Sequence, residues 1–189
     1  MLVLASKSPR RQQILRDAGL PFVVRRPGDV PEERLGNESP EVYVRRLARE
    51  KAQAVPVHTG EVVLGADTVV VIGGQVLEKP RDQADAMRML ALLSGREHEV
   101  ITGVCLRTET QIIVDAATTR VRFVPLTEDE LAAYAASGEP MDKAGGYAIQ
   151  GLASKFIDRI EGCYFNVVGL PVALVYRYWR EISQSTATR

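Results

Sequence analysis

Three cations stand close together near the start of the chain, in Ser6-Lys7-Ser8-Pro9-Arg10-Arg11. They follow a short apolar run, Leu2–Ala5, and open a predicted helix. A helix N-terminus carries about half a positive charge, so arginine in its first turn is unfavourable by about 0.3–1 kcal/mol. A bound anion reverses the sign of each term, because N–H groups, dipole and guanidinium forks all favour phosphate. Arginines that simply face water are the competing reading. The segment is not a Walker loop, since it lacks the glycines and the Lys-Ser/Thr pair.

Three further places carry chemistry. Asp67 lies inside the apolar stretch VVLGADTVVVI. A buried carboxylate without a partner is costly, so Asp67 must sit at a break, pair with a cation or hold a metal. Gly65–Ala66, just before it, predicts a bulge or a close approach of backbone. Lys51 falls one turn after Leu47, beside an apolar helical stripe, where lysines commonly extend to solvent. Lys79 stands at the exit of the hairpin that carries Asp67. Finally, Asp29, Glu32 and Glu33 belong to a polar loop; such carboxylates are usually solvated, and are also the type that holds Mg²⁺ beside substrate phosphates.

The elements that must position these groups follow from pattern and punctuation. Leu2–Ala5 and Phe22–Val24 predict strands, joined by a helix from Ser8-Pro9 to about Ala18 with Gly19 as its stop. Pro27 to Asn37 is a loop. Ser39-Pro40 starts a second helix, to about Val55, with Val44, Leu47, Ala48, Ala52 and Val55 on one face. Glu61–Ile72 reads as a central strand, turned at Gly73-Gly74 and returning over Gln75–Leu77. A helix over about Gln83 to Leu93 ends at Ser94-Gly95. Val100–Arg107 and Gln111–Val124 predict long antiparallel strands, the second with Val121 and Phe123 dry and Arg120 and Arg122 wet. Thr127-Glu-Asp-Glu130 is a capping box for a helix closed by Gly138. Gly145–Gly151 reads as a glycine-punctuated loop or short strand. Asn166–Pro171 leads into a last amphipathic helix with Val172, Leu174, Val175 and Trp179, and a frayed tail is expected from Ser183.

Composition bounds the rest. The 189 residues suit one α/β domain; 46% are hydrophobic and 25% charged, ordinary globular values that argue against disorder. No stretch approaches the ~20 apolar residues of a membrane span, and the N-terminus lacks the features of a signal peptide, so the expectation is a protein that stays where it is made. Cys105 and Cys163 sit in apolar surroundings and read as reduced core thiols. His58 and His98 form no ligand pair at helical spacing, which argues against zinc. A formal charge of zero, with no interleaving of aromatic and basic residues, argues against a nucleic-acid partner.

Taken in order, LASKSPRRQQIL, ESPEVYVRRLAREKA, GADTVVV, LEKP, LSGREHEVITGV, GEPMDKAGGYAIQG and NVVGLP resemble the Maf family of nucleoside triphosphate pyrophosphatases, from Leu4 to Pro171. The resemblance implies an elongated, twisted mixed sheet flanked by helices, with two lobes and a central cleft within one domain over residues 1–189, similar to inosine triphosphate pyrophosphatases. It also implies hydrolysis of NTP to NMP and pyrophosphate with Mg²⁺ or Mn²⁺, in a cytoplasmic homodimer. By position, Ser6, Arg10 and Arg11 match the family's phosphate-binding loop, Lys51 its second-helix lysine, and Asp67 its proposed catalytic acid/base, with Lys79 nearby. Glu32 matches an acidic residue after the second strand; the usual context is Asp-Glu and in this chain it is Pro-Glu-Glu, so Glu33 is an alternative. Gln150 lies in the late IQG motif. Where the family usually has Gly before Lys-Pro, this chain has Glu78.

Arg10, Thr68 and Gln150 match the branch associated with dTTP and UTP rather than the one associated with 7-methyl-GTP. A glutamine amide offers donor and acceptor together, which suits the O4/N3 edge of a pyrimidine. In this reading Arg10, Arg11, Lys51 and Lys79, with the metal, offset the triphosphate charge. Asp67 either activates the attacking water or shares the metal with Glu32. The rivals are a nucleotide-binding regulator linked to cell division with little turnover, an enzyme for modified pyrimidine nucleotides, and a 7-methyl-GTP pyrophosphatase.

Overall fold

The computed structural model describes residues 1–187, with backbone alone for 185–187. Strand β1 (Leu2–Leu4) is completely buried, as its unbroken apolar run requires. Helix α1 (Pro9–Asp17) crosses to strand β2 (Phe22–Val24), which pairs with β1 in parallel. Parallel neighbours need such a crossover. Helix α2 (Pro40–Gln53) begins at Ser39, whose hydroxyl accepts from the N–H of Val42. Strand β3 (Val62–Ile72) lies on the other side of β1, also in parallel. Gly73 and Gly74, both at positive φ, turn it into strand β4 (Gln75–Leu77), its antiparallel partner.

Helix α3 (Gln83–Leu93) is capped by Asp82. Strands β5 (Glu97–Arg107) and β6 (Ile112–Phe123) are neighbours joined by a turn in which Thr108 N–H donates to Gln111 O. The expected capping box is present at the start of helix α4 (Glu128–Ala136). Strand β7 (Ile157–Glu161) pairs antiparallel with β6, and helices α5 (Tyr164–Val168) and α6 (Val172–Ala187) follow. The sheet is seven-stranded, in the order β2-β1-β3-β5-β6-β7, with β4 added on β3. The mixed α/β class expected from the sequence is therefore observed.

Some expectations need correction. β5 begins at Glu97, three residues before the expected Val100, because His98 points into the interior and continues the alternation. Of the loop or short strand expected over Gly145–Gly151, the loop is the one present, with Ala144–Gly146 a 3-10 turn and Gly145 and Gly146 at positive φ. Helix α6 is described as far as Ala187; the last two residues of the chain, 188–189, lie outside the described residues. Among the described residues no helix is long and apolar enough to cross a membrane.

Two compact units divide the chain. The first holds Met1–Asp67, Thr102–Ala117 and the chain from Gly169 on. Its core joins Val3 and Ala5 of the first strand region to Ala48, Ala52 and Val55 of the second helix region, and to Val63 and Cys105. The backbone of α2 lies almost in contact with the sheet. A Cβ on Gly65 would clash with Ala48 O and stand 2.7 Å from Ala52 N, and one on Gly103 would stand 2.8 Å from Arg45 N. Both glycines are required by close approach rather than by conformation, since neither has positive φ.

The second unit holds Thr68–Ile101 and Thr118–Val168. Its interior is aromatic: His98 packs edge-on against Phe123 and Tyr147, with centroids 5.2 and 5.4 Å away. His98 Nε2 lies 2.8 Å from the Tyr147 hydroxyl. Burial lowers the His98 pKa to about 4. The unfolded chain binds that proton near pH 6.5 and the folded chain does not until about 4, so folding weakens as pH falls through this window. Wild type should lose about 1.4 kcal/mol more per pH unit there than His98→Gln, read by urea unfolding. Parallel slopes for the two proteins would contradict the buried neutral imidazole. Both cysteines are free, with Cys105 buried and Cys163 half-buried.

Candidate active site

The first unit assembles most of the candidate residues from four segments. Because Gly65 lets α2 lie against β3, Lys51 on α2 reaches the strand two residues further along. Its ammonium lies 2.6 Å from Asp67 Oδ1 and 2.5 Å from Glu32 Oε1. Asp67 is buried, so this ion pair answers the cost of placing a carboxylate in an apolar strand. Lys51 is itself largely enclosed, with 12% of its side chain exposed, while Glu32 is open to solvent. Lys51 does not extend into water as lone helical lysines do; it is the shared counter-ion of two carboxylates.

Helix α2 fixes where the backbone of Glu32 and Glu33 stands. Tyr43, buried on the inner face, donates its hydroxyl to the backbone oxygen of Glu32 at 2.8 Å. One turn on, Arg46 donates to the backbone oxygen of Glu33 at 2.8 Å and grips Glu38 with two bonds of 2.7 and 2.8 Å. The Arg46 guanidinium, helped by the Leu35 N–H, holds the Glu38 carboxyl down at about 2. The acidic loop is thus pinned at consecutive carbonyls, and it is the Glu32 side chain that meets Lys51. Sequence reasoning missed Tyr43 and Arg46. The signal that could have found them is an arginine and a tyrosine one turn apart on the helix that follows the loop.

The SKSPRR segment forms the other half of the group. Ser6 is buried, and its hydroxyl oxygen accepts from Ser8 N–H at 3.1 Å and from Arg11 Nη1 at 3.3 Å. Arg11 also donates through Nε to Gly169 O at 2.8 Å and through Nη1 to Ala66 O at 2.9 Å. These bonds fix the guanidinium plane beside Asp67. Burial lowers the Arg11 pKa; the Asp67 charge opposes this, Arg10 adds to it, and Glu32 opposes it again. That pattern places Arg10, Arg11, Glu32 and Asp67 in one electrostatic neighbourhood.

Ser8 occupies the N-cap position of α1, yet its side chain makes no capping bond, and the first turn holds no acidic residue. The caps of α2, α3 and α4 are all satisfied by side chains. The uncapped end is the one bearing Arg10 and Arg11, so this helix start is suited to an external anion.

The remaining candidates belong to the second unit. Thr68 is half-buried in β3. Lys79 and Gln150 are exposed, the first just after β4 and the second in a turn at the end of the GGYAIQG stretch. Glu78 is exposed, and its backbone oxygen accepts from Gly145 N–H at 2.9 Å.

The donor set can be tested against a divalent metal. Among the described residues no cluster of three or more His, Cys, Asp or Glu side chains could hold a metal by itself. Mg²⁺ is ordinarily bound through one or two carboxylates together with substrate phosphates rather than in an all-protein cage. Glu32 and Asp67 supply two carboxylates converging on one cationic position, and that set fits such an ion.

The residues 1–182 match the family described as Maf-like protein. The chain belongs to that family. Relatives are similar over nearly the whole length. A "dTTP/UTP pyrophosphatase" of Koribacter versatilis is 53% identical over 95% of this chain and 93% of its own. A protein of the same name from Symbiobacterium thermophilum is 52% identical over 90% of this chain and 88% of its own. Another from Geobacter sulfurreducens is 49% identical over 96% of each. A solved HAM1 protein of Coxiella burnetii aligns with 65% of this chain and 72% of its own at 19% identity and a TM-score of 0.42, too slight a likeness to bear on function.

Proposed function

We propose that this Maf-family chain hydrolyses dTTP and UTP to the nucleoside monophosphate and pyrophosphate. The observation that carries the reading is the Glu32–Lys51–Asp67 ion triad beside the anchored Arg11 and the uncapped start of α1. A site that only bound a polyanion would have no use for two carboxylates turned toward it, which repel phosphate. Carboxylates paired with cations are what hydrolysis at a phosphate needs: one group to orient or deprotonate water, and one arrangement to tolerate a metal. The names carried by the relatives at about half identity support the same substrate class.

The roles follow from chemistry. The open end of α1 and Arg10 bind triphosphate oxygens, while Ser6 and the bonds of Arg11 to the Ala66 and Gly169 carbonyls keep the segment in shape. Lys51, on a flexible stem, neutralises the carboxylates in the free protein and can turn to a phosphate oxygen as substrate enters. Lys79 contributes a further cation. Asp67 orients or deprotonates the water that attacks the α-phosphorus. Glu32 and Asp67 would hold a Mg²⁺ or Mn²⁺ ion, which when bound offsets charge on the leaving pyrophosphate. Thr68 and Gln150 belong to base selection, with Arg10 completing the dTTP/UTP pattern. A homodimer in the cytoplasm is part of the same reading and is checked by light scattering and fractionation.

The clamp on the acidic loop gives a quantitative expectation. Arg46→Ala frees the Glu33 carbonyl and Glu38, so the loop beside Glu32 loses one of its two backbone anchors, the bond from Tyr43 remaining. The Mn²⁺ concentration for half-maximal rate should rise about tenfold, as for lost outer-shell support of a metal ligand. An unchanged Mn²⁺ requirement would separate Glu32 from the metal.

The function itself is tested with dTTP, UTP, CTP, GTP, ATP and 7-methyl-GTP, each with Mg²⁺ or Mn²⁺, following monophosphate and pyrophosphate. Preferred release of dTMP and UMP with pyrophosphate is expected. Preference for 7-methyl-GTP would overturn the base assignment but not the chemistry, and binding without turnover on every nucleotide would favour a regulator.

A further inference from the structure

The turn that carries Gln150 is bracketed by two side chains outside it. Tyr134, buried on α4, accepts from the Ala148 N–H at 3.1 Å and donates its hydroxyl hydrogen to Glu139 Oε1 at 2.8 Å. The other carboxylate oxygen of Glu139 accepts from the Leu152 N–H at 3.2 Å. Gly151 N–H closes the turn onto Ala148 O at 3.0 Å. Backbone groups on both sides of Ile149-Gln150-Gly151 therefore end on one hydrogen-bonded pair. Ile149 points into the interior and Gln150 is exposed, so the bracket presents Gln150 alone.

Gly151 shows how close this approach is. A Cβ there would lie 2.5 Å from the carboxylate carbon of Glu139 and clash with Oε2. Its φ is negative, so the feature that sets this position apart is the carboxylate, which a Cβ would have to push aside.

We propose that Glu139 and Tyr134 are positioning residues for base selection, holding the turn at the height and angle from which Gln150 reads a pyrimidine edge. The inference rests on the reading of Gln150 as the base contact. A glutamine on a loose turn can shift and rotate its amide to suit either the O4/N3–H edge of uracil and thymine or the reversed N4–H/N3 edge of cytosine. One carried on a fixed turn cannot suit both equally, and that difference is specificity.

The test is the ratio of kcat/KM for dTTP to that for CTP. Gln150→Ala should lower it about tenfold, the worth of one good hydrogen bond. Glu139→Ala should lower it by a similar factor, mainly through KM for dTTP, and Glu139→Gln, which keeps an acceptor for Leu152 N–H, should recover most of the loss. The double variant Gln150→Ala/Glu139→Ala should be no worse than either single one, since both act through one contact. Gly151→Ala displaces the carboxylate without removing it and should reproduce Glu139→Ala, but add nothing in its background. It also serves if Glu139→Ala folds poorly by circular dichroism. A normal ratio in Glu139→Ala and Gly151→Ala, or an equal fall in kcat for every nucleotide, overturns the proposal while Gln150→Ala still loses selectivity. A normal ratio in Gln150→Ala is a different failure: the base contact itself is wrong, and the bracket loses its role with it.

Discussion

Asp67→Asn is expected to lower kcat at least about 10²-fold and up to about 10⁴-fold, with little change in the thermal midpoint. The substitution is isosteric, Lys51 keeps Glu32 as a partner, and Arg11 keeps its bonds to the Ala66 and Gly169 carbonyls. What is lost is the anionic oxygen 2.6 Å from the ammonium. The metal dependence then separates the two roles open to Asp67. If Asp67 acts on water, kcat falls at every Mn²⁺ concentration and the concentration for half-maximal rate stays put. If it holds the ion, that concentration rises and part of the rate returns at saturation. A folded Asp67→Asn protein with near-normal turnover at ordinary Mn²⁺ would remove Asp67 from the chemistry altogether.

Lys51→Met has the second large effect, and its two readouts move in opposite directions. On the proposed reading the variant loses the cation that turns to phosphate as substrate enters, so kcat/KM for dTTP should fall about 10²–10³-fold, as when one preorganised charge stabiliser is removed. The same change strips Glu32 and Asp67 of their shared counter-ion. Mn²⁺ should then bind more tightly, followed by the electron spin resonance signal of the free ion without any nucleotide. Weaker Mn²⁺ binding in Lys51→Met would mean that the carboxylates do not face a common cation position. Without metal, two carboxylates are left close together, so the variant should also unfold at lower temperature and recover when Mn²⁺ is added.

These effects depend on contacts of uneven legibility. The entry into the fold is readable from punctuation: Pro9 after Ser8, Gly19 after α1, Ser39-Pro40 before α2, and Gly73-Gly74 between β3 and β4 all act within a few residues. The need for a partner at Asp67 is local too, because an apolar strand must supply one for a carboxylate, and Gly65 signals close backbone approach. That the partner is Lys51 follows only once α2 lies on β3 at Gly65. Glu32 and Glu33 are not separable in the sequence because a loop has no period; their backbone is placed by Tyr43 and Arg46, which reach back from the next helix.

β7 shows the same limit in a strand. Its pairing with β6 sets Arg122 opposite Arg159 and Phe123 opposite Ile157, a register shift that breaks the alternation over Ile157–Glu161. Nothing in that stretch reads as a strand without the neighbour that makes it one. His98 is obscured for another reason: a titratable residue reads as polar in the sequence, whereas in the fold it is a neutral ring among Phe123 and Tyr147.

The most direct test of the central claim is a single turnover of dTTP in ¹⁸O-water, with the products resolved by mass spectrometry. Attack on the α-phosphorus breaks the bond between it and the α,β-bridging oxygen, so the water oxygen must appear in dTMP and the pyrophosphate must leave unlabelled. Label in pyrophosphate, or inorganic phosphate as the first product, would contradict hydrolysis at the α-phosphorus and with it the action of Asp67 on the attacking water.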